Sequence, residues 1–157
     1  MRIILSTVRN KGYTPMQQFS ALRSHYGGTH WKIRPNGFTW WYNVTPTPLS
    51  DTYTLKIVYN KSHLPNTFVT FPQPLPLAKG AKRLPHTYNS KQQKLCLFKP
   101  SNREWNSHML ISDTIFHWAL EWLFFYEEWV FSGKWYGGGH GNWDSSFEEE
   151  TKQYDNE

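Results

Sequence analysis

The chain has 157 residues, enough for one domain that buries a hydrophobic core without disulfide support. Its single cysteine, Cys96, excludes an intramolecular disulfide, and an aromatic content as high as the charged content, 18% each, excludes intrinsic disorder. The net charge of +5 is uneven, because residues 1–35 carry six cations and no acid, whereas residues 144–157 carry six acids and one cation. We therefore predict a single domain over residues 1–143 and an acidic tail over residues 144–157.

The most apolar stretch, residues 111–131, does not have the pattern of a membrane span. Asp113, Glu121 and Glu127 interrupt it, whereas a span needs about 20 consecutive apolar residues. The apolar run at the N-terminus is too short for a signal peptide. These features predict a cytoplasmic protein without a membrane segment.

The first predicted element is a short helix over residues 15–26. Thr14 is a typical N-cap, Pro15 suits the first helical position, and Gly27 with Gly28 ends the helical pattern. Strands follow, rich in aromatic and β-branched residues and separated by turn sequences, over 31–34, 38–44, 53–59 and 68–71. Connections this short predict an antiparallel four-stranded meander.

The sequence of residues 72–95 shows neither a helical nor a strand pattern. Four prolines forbid regular structure, five lysines and arginines make the segment basic, and it ends at Cys96. A loop of this length in a compact domain is usually functional.

A long amphipathic helix is the clearest element. Ser107 can cap it, Gly133 ends it, and apolar residues recur at steps of three and four in between: Ile111, Ile115, Trp118, Trp122, Phe125 and Trp129. At this spacing the tryptophans are core residues. The whole pattern predicts an α+β fold, with the long helix packed behind the sheet.

Cys96 is the first candidate for chemistry. Its apolar neighbours Leu95 and Leu97 favour a small buried hydrophobe. Its place at the end of the basic loop favours a reactive thiol, because the nearby cations Lys91 and Lys94 would stabilise the thiolate.

The order of these features resembles the core of a ubiquitin-conjugating enzyme, over about residues 15–131. The matching residues are His86, ten positions before Cys96, the Leu-Cys-Leu sequence around Cys96, and Trp105 after it. The resemblance implies that Cys96 accepts an acyl group as a thioester, that His86 orders the active-site loop, and that Trp105 supports its packing.

Two positions depart from that family's His-Pro-Asn turn. Thr87 stands in the place of the proline and Tyr88 in the place of the asparagine, which in the family shapes the loop and stabilises the oxyanion. Asn89 lies one position further on. The oxyanion stabiliser is therefore Tyr88, Asn89 or backbone amides near Cys96, and the sequence does not choose among them.

A closer resemblance comes from the sequence after the cysteine. Ser-Asp-Thr-Ile at 112–115, the aromatic helix at 118–129 and Gly-Lys-Trp-Tyr-Gly-Gly-Gly at 133–139 look like prokaryotic conjugating-enzyme proteins of type II (short) CBASS anti-phage operons. In relatives the conjugating domain is fused to an activating enzyme, for which this chain has no room. The resemblance implies a stand-alone enzyme that transfers the C-terminus of a cGAS-like nucleotidyltransferase to an amine.

Other interpretations remain open. A conjugating fold without catalysis would bind and regulate the nucleotidyltransferase non-covalently, which the altered turn favours. A nucleic-acid binder is a third reading, against which the scattered cations and the acidic tail count. The seven histidines lack metal-ligand spacing, and the glycines at 137–139 lack the ending of a phosphate loop, so no metal or cofactor is expected. Trp135, Tyr136 and Trp143 form a docking surface or simply cover the core.

Overall fold

The computed structural model describes residues 11–137, so the tail and most of the glycine-rich segment at 137–141 lie outside it, as does Trp143. Two α-helices, α1 and α2, pack on a six-stranded sheet, and a 3-10 turn covers Pro100–Asn102. The α+β class is therefore confirmed. The bounds are α1 Pro15–Tyr26, β1 His30–Arg34, β2 Gly37–Val44, β3 Tyr53–Asn60, β4 Asn66–Phe71, β5 Thr87–Asn89, β6 Lys94–Leu95 and α2 Ile115–Ser132.

Helix α1 begins with a capping box. The Thr14 hydroxyl accepts the N–H of Gln17 at 3.2 Å, and the Gln17 side chain accepts the N–H of Thr14 at 2.9 Å, so two backbone donors at the helix start are satisfied. The helix ends at Gly27, whose φ of 76° suits a residue without a β-carbon.

The sheet has six strands, not the four that the sequence predicts. Its order is β1-β2-β3-β4-β6-β5, and every pairing is antiparallel. The extra strands β5 and β6 form a small hairpin inside the segment that we expected to be irregular, and β6 joins the sheet where Lys94 pairs with Phe68. Strands of two and three residues are too short to show an alternating pattern.

Only one face of the sheet is covered by the helices. Buried and half-exposed residues alternate along β3, and its buried residues, such as Leu55 and Ile57, face α1 and α2. On the same side, the fully buried Trp40 donates its indole N–H to the Gly27 carbonyl at 3.1 Å. The opposite, outer face carries the half-exposed positions of β3, among them Lys56.

Helix α2 begins later than the sequence indicates. The predicted cap at Ser107 is wrong: residues 106–114 form no helix but turns and irregular backbone, and the Ser107 carbonyl accepts the N–H of Tyr13 at 2.7 Å. The reason is a tertiary contact, because the buried Gln18 side chain donates to the Met109 carbonyl and accepts the Ile111 N–H, both at 2.8 Å. These bonds occupy groups that a longer helix would use internally.

The predicted end of α2 is confirmed. Gly133 adopts a φ of 77° and donates its N–H to the Trp129 carbonyl at 2.7 Å, a left-handed cap that glycine adopts without strain. Neither helix within residues 11–137 combines the length and apolarity that crossing a membrane requires.

Candidate active site

The irregular loop before Cys96 is held by one buried amide. The Gln93 side chain accepts the Leu75 N–H at 2.6 Å and donates to the carbonyls of Val69 and Pro72 at 2.8 and 2.9 Å. Gln93 is only 2% exposed, so these three backbone groups, away from water, depend on it. One side chain thus joins β4, the proline-rich loop and the β5–β6 turn.

Helix α2 fixes the same loop from the other side. Tyr126 donates its hydroxyl to the Pro76 carbonyl at 2.6 Å, and Trp122 donates its indole N–H to the His86 carbonyl at 3.0 Å. The two rings stack with their centroids 5.4 Å apart. Trp122, which we assigned to the core from its helical spacing, is buried as predicted, but it also positions the loop.

Cys96 directly follows β6 and is half-buried. Its N–H donates to the His86 carbonyl at 3.0 Å, which continues the β5–β6 pairing, and its Sγ lies 3.9 Å from the Phe98 carbonyl oxygen. The sulfur therefore sits on a backbone that is fixed at His86 and, through Trp122, at α2.

The Tyr88 hydroxyl lies beside this thiol and donates to the Phe98 carbonyl at 2.5 Å. A hydrogen bond from the same hydroxyl to a Cys96 thiolate would lower the pKa of the thiol. Burial, and then the charge of a Cys96 thiolate, raise the pKa of Tyr88 well above its ordinary value. The hydroxyl consequently keeps its proton throughout the physiological range, and the Lys94 ammonium lies 5.6 Å from the centre of its ring.

The surroundings of Cys96 favour the thiol over the thiolate. Burial raises its pKa and is the largest influence; the hydrogen bond from Tyr88 lowers it, the charge of Glu104 raises it, and Lys99 lowers it. Our expectation that nearby cations such as Lys91 and Lys94 would favour the thiolate is not met, because the loss of hydration outweighs Lys99, the cation that lowers this pKa.

His86 contributes its backbone carbonyl and a neutral ring. Its φ of 49° is unusual for a residue other than glycine, and its imidazole stacks on the Trp135 indole with centroids 4.6 Å apart and planes 17° apart. Burial lowers the pKa of His86 to about 4. The ring is thus uncharged near pH 7, and its backbone carbonyl accepts two hydrogen bonds in the loop.

Asn89 and Trp105 lie in structural positions. The Asn89 side chain accepts the N–H of Gln92 at 2.9 Å and so stabilises the β5–β6 turn. Trp105 is 4% exposed, packs edge-on against Tyr59 and donates its indole N–H to the Thr114 hydroxyl at 3.0 Å. Of the two side chains that we considered as oxyanion stabilisers, Tyr88 lies beside the sulfur, and Asn89 is anchored to the β5–β6 turn through its oxygen.

Comparison with protein families identifies the family of the chain. The family model described as Type II CBASS E2 protein matches residues 18–142, which include the loop, Cys96 and both helices apart from the first turn of α1. The chain belongs to this family. Its role is accordingly that of a CBASS-associated E2-like protein in antiviral defence. No curated protein matches the chain.

Three features of this E2-like site escaped sequence reasoning. Glu104 accepts the N–H of Lys99 at 2.9 Å and brings a negative charge near Cys96. Gln93 and Trp135 support the loop from opposite sides. Glu104 precedes Trp105 directly in sequence, but no residue pattern marks it as a neighbour of the thiol.

The two aromatic residues that follow α2, Trp135 and Tyr136, differ in their burial. Trp135 packs against the core, near Trp122 and Phe125, as well as on His86, so it covers the core. Tyr136 remains 61% exposed. Within residues 11–137 no group of three or more histidine, cysteine or acidic side chains is arranged to hold a metal ion.

Proposed function

We propose that Cys96 forms a thioester with the C-terminal carboxyl group of a cGAS-like nucleotidyltransferase and passes it to an amine. The observation that supports this most directly is the position of the thiol. The only cysteine of an E2-family chain lies at the end of an anchored loop, half-exposed, with the protonated Tyr88 hydroxyl beside it. A nucleophile held in one geometry with a donor beside it is what acyl transfer requires.

The reaction has two steps. Cys96 loses its proton to solvent, its sulfur attacks the carbonyl carbon of an acyl donor already activated as a mixed anhydride or a thioester, and the activating group departs. An amine then attacks the same carbon and a C–N bond forms while the C–S bond breaks. The nitrogen gives up one proton to solvent, and Cys96 leaves as a thiolate that takes up a proton. Because the leaving sulfur gains negative charge in the second step, a protonated Tyr88 hydroxyl beside it stabilises its departure.

His86 acts in this proposal as a positioning residue. Its imidazole is buried and uncharged near pH 7, while its carbonyl holds the Cys96 N–H. Trp105 and Asn89 support the surrounding backbone. Backbone amides near Cys96 and the Tyr88 hydroxyl together supply the oxyanion stabilisation that the family's asparagine provides in conjugating enzymes.

A second candidate is a non-covalent regulatory module. The specific observation in its favour is the raised pKa of Cys96, since burial and Glu104 both oppose the thiolate. In this case the fold would bind the nucleotidyltransferase through its surface, and the cysteine would be a half-buried structural residue.

Intact-mass analysis after co-expression with the nucleotidyltransferase of the same operon separates the two. If the protein is the enzyme, an adduct should form whose mass equals that of the two chains less one water. Thiol reductant or hydroxylamine should cleave this adduct. Cys96→Ala should lose the adduct. Cys96→Ser should instead accumulate an oxyester that resists reductant, because the alkoxide is a poorer leaving group than the thiolate. If the partner co-purifies with both wild type and Cys96→Ala and no adduct forms, the protein acts as the regulatory module and not as the enzyme.

A further inference from the structure

Exposed apolar side chains meet at a groove beside α2. Leu49, on the loop between β2 and β3, is 98% exposed, and Phe131, in the last turn of α2, is 94% exposed. Within residues 11–137 no other large apolar side chain is exposed as fully. Both line one groove of about 320 Å³, together with Phe124. Exposed apolar surface that collects in one concave place, rather than as scattered single side chains, is typical of an interaction site.

One wall of this groove is the face of α2 that points away from the core. Four lining residues follow the spacing i, i+3, i+4 and i+7, which places side chains on one helix face: Phe124, Glu127, Glu128 and Phe131. Trp122, which holds the active-site loop, lies about 180° around the helix axis from Phe131. The groove and the loop that carries Cys96 thus contact opposite sides of α2.

The other wall is a loop that is fixed to the same helix. Ser50 donates its hydroxyl to Glu127 Oε1 at 2.5 Å, and its backbone N–H donates to the Thr47 carbonyl at 3.0 Å. The Thr47 hydroxyl lies 2.7 Å from the Ser50 hydroxyl. Because these bonds hold the loop against α2, the groove is formed before a partner binds, and binding then costs less ordering entropy.

The groove is negatively charged. Of the side chains that line it within residues 11–137, two are carboxylates, those of Glu127 and Glu128, and none is a cation. Asp51, next to Ser50 in sequence, is exposed. Like charge opposes the binding of an anionic membrane surface or a nucleic acid. It also opposes the chain's own residues 144–157, which carry six acids. Lysine and arginine side chains match the charge of the groove.

The spacing of the apolar residues favours a helical partner. Phe124 and Phe131 are seven residues apart, which is the repeat at which two packed helices meet along a seam. They are separated by about 10 Å along the axis of α2. The apolar side chains of a second helix can pack against them and against Leu49. Cations on the flanks of that helix can then pair with Glu128 and its neighbour, as in other helix-in-groove complexes.

We propose that this groove docks an amphipathic helix of a partner protein, with apolar residues at heptad spacing and lysine or arginine on their flanks. The docked helix lies on the side of α2 opposite the active-site loop. This inference concerns binding away from Cys96, so it stands whether or not Cys96 carries an acyl group.

Fluorescence anisotropy tests the binding of a synthetic peptide to the full-length chain. The probe is a labelled helical peptide of about three heptads, with leucine at the seam positions and lysine at the flanking positions. Wild type should bind it, and the groove variant Leu49→Ser/Phe131→Ser should raise the dissociation constant at least about tenfold. Because both side chains are almost fully exposed, this variant should fold as wild type does.

A matched variant and a matched peptide control for unspecific binding. Ile33→Ser/Tyr136→Ser removes an aliphatic and an aromatic side chain that are 50% and 61% exposed outside the groove, and it should keep the affinity of wild type. The same peptide with glutamate in place of lysine should bind at least about tenfold more weakly. Glu128→Gln should weaken binding of the lysine peptide about two- to fivefold, a difference that high salt should remove.

Three results would overturn the inference. The first is a lysine peptide that does not bind wild type, or that binds Leu49→Ser/Phe131→Ser equally tightly. The second is equal affinity for the lysine and glutamate peptides, which would show that charge does not select the occupant. The third is self-association of wild type in sedimentation equilibrium that Leu49→Ser/Phe131→Ser abolishes, which would assign the groove to a second copy of the chain.

Discussion

The carbonyl oxygen of His86 accepts two hydrogen bonds at 3.0 Å, one from the indole of Trp122 and one from the backbone of Cys96. This single atom links α2 to the candidate nucleophile. The link explains how an aromatic residue of the core governs a loop without a regular pattern of its own.

Trp122→Phe should loosen the active-site loop. The variant keeps an aromatic ring against Tyr126 but loses the indole donor to His86, and an unpaired buried carbonyl costs about 1–3 kcal/mol. Hydrogen–deuterium exchange should rise in peptides covering 72–96. Trp129→Phe, which removes another buried indole of α2, should leave these peptides protected; equal exchange in both variants would contradict the link.

Tyr88→Phe should make Cys96 less reactive. The hydroxyl lowers the pKa of the thiol through its hydrogen bond, so its removal raises that pKa and leaves less thiolate at pH 7.5. We expect alkylation about three- to tenfold slower, with the inflection of the pH–rate profile displaced upward. The exposed Tyr136→Phe serves as the control. An inflection at or below that of wild type would show that the hydroxyl does not stabilise the thiolate.

Glu104→Gln should have the opposite effect. Its negative charge raises the pKa of Cys96, so neutralisation favours the thiolate, while the glutamine oxygen can still accept the Lys99 N–H. Alkylation near neutral pH should accelerate about two- to fivefold. The same change at Glu128, on the C-terminal half of α2, should have no effect. If the pKa of Cys96 is unchanged or higher in Glu104→Gln, the charge of Glu104 does not act on the thiol.

His86 should make the fold acid-sensitive. Its pKa is about 4 in the folded chain against an ordinary value of 6.5, so the unfolded chain binds the proton more tightly. The resulting stability is present above pH 6.5 and is lost as the pH falls towards 4, by roughly 3 kcal/mol in all. Urea unfolding at pH 7.0 and 4.5 should show that His86→Phe loses less stability on acidification than wild type. An identical pH dependence would contradict burial of a neutral ring.

Gln93→Leu should destabilise the fold more than the same substitution at the adjacent residue, Gln92→Leu. The substitution leaves the Leu75 N–H and the carbonyls of Val69 and Pro72 without their side-chain partner, at a cost of about 3 kcal/mol or more. Gln92→Leu changes an adjacent, exposed glutamine in the same way and should cost less than about 0.5 kcal/mol. Urea midpoints compare the two, and similar losses would rule out Gln93 as the loop's support.

Local patterns predicted the parts of the fold that depend on neighbouring residues. Gly133 ends α2 because a left-handed cap needs only its own backbone and the preceding turn. The start of α2 was predicted wrongly because Gln18, more than ninety positions away in sequence, holds residues 109 and 111 outside a helix. A side chain that acts over such a distance leaves no periodic trace in the sequence.

The candidate site divides in the same manner. Cys96, His86 and Tyr88 could be chosen as candidates from the sequence alone, because all three lie within eleven consecutive positions, and their roles stay predictions. The raised pKa of the thiol was not predictable, since it depends on how deeply the folded chain buries the sulfur and on the approach of Glu104. Charge counted along the sequence overestimated the effect of nearby cations, because burial of the sulfur raises its pKa more than Lys99 lowers it.

An open sheet has two edges at which a foreign strand could be added. At β1 the edge carries His30, Lys32 and Arg34, so a second copy approaching there meets like charge. At the other edge β5 offers only three residues before the Asn89 turn, too little backbone to template a neighbour. At the two edges of the described sheet, repulsion at β1 and the shortness of β5 therefore disfavour strand-to-strand pairing with a second copy.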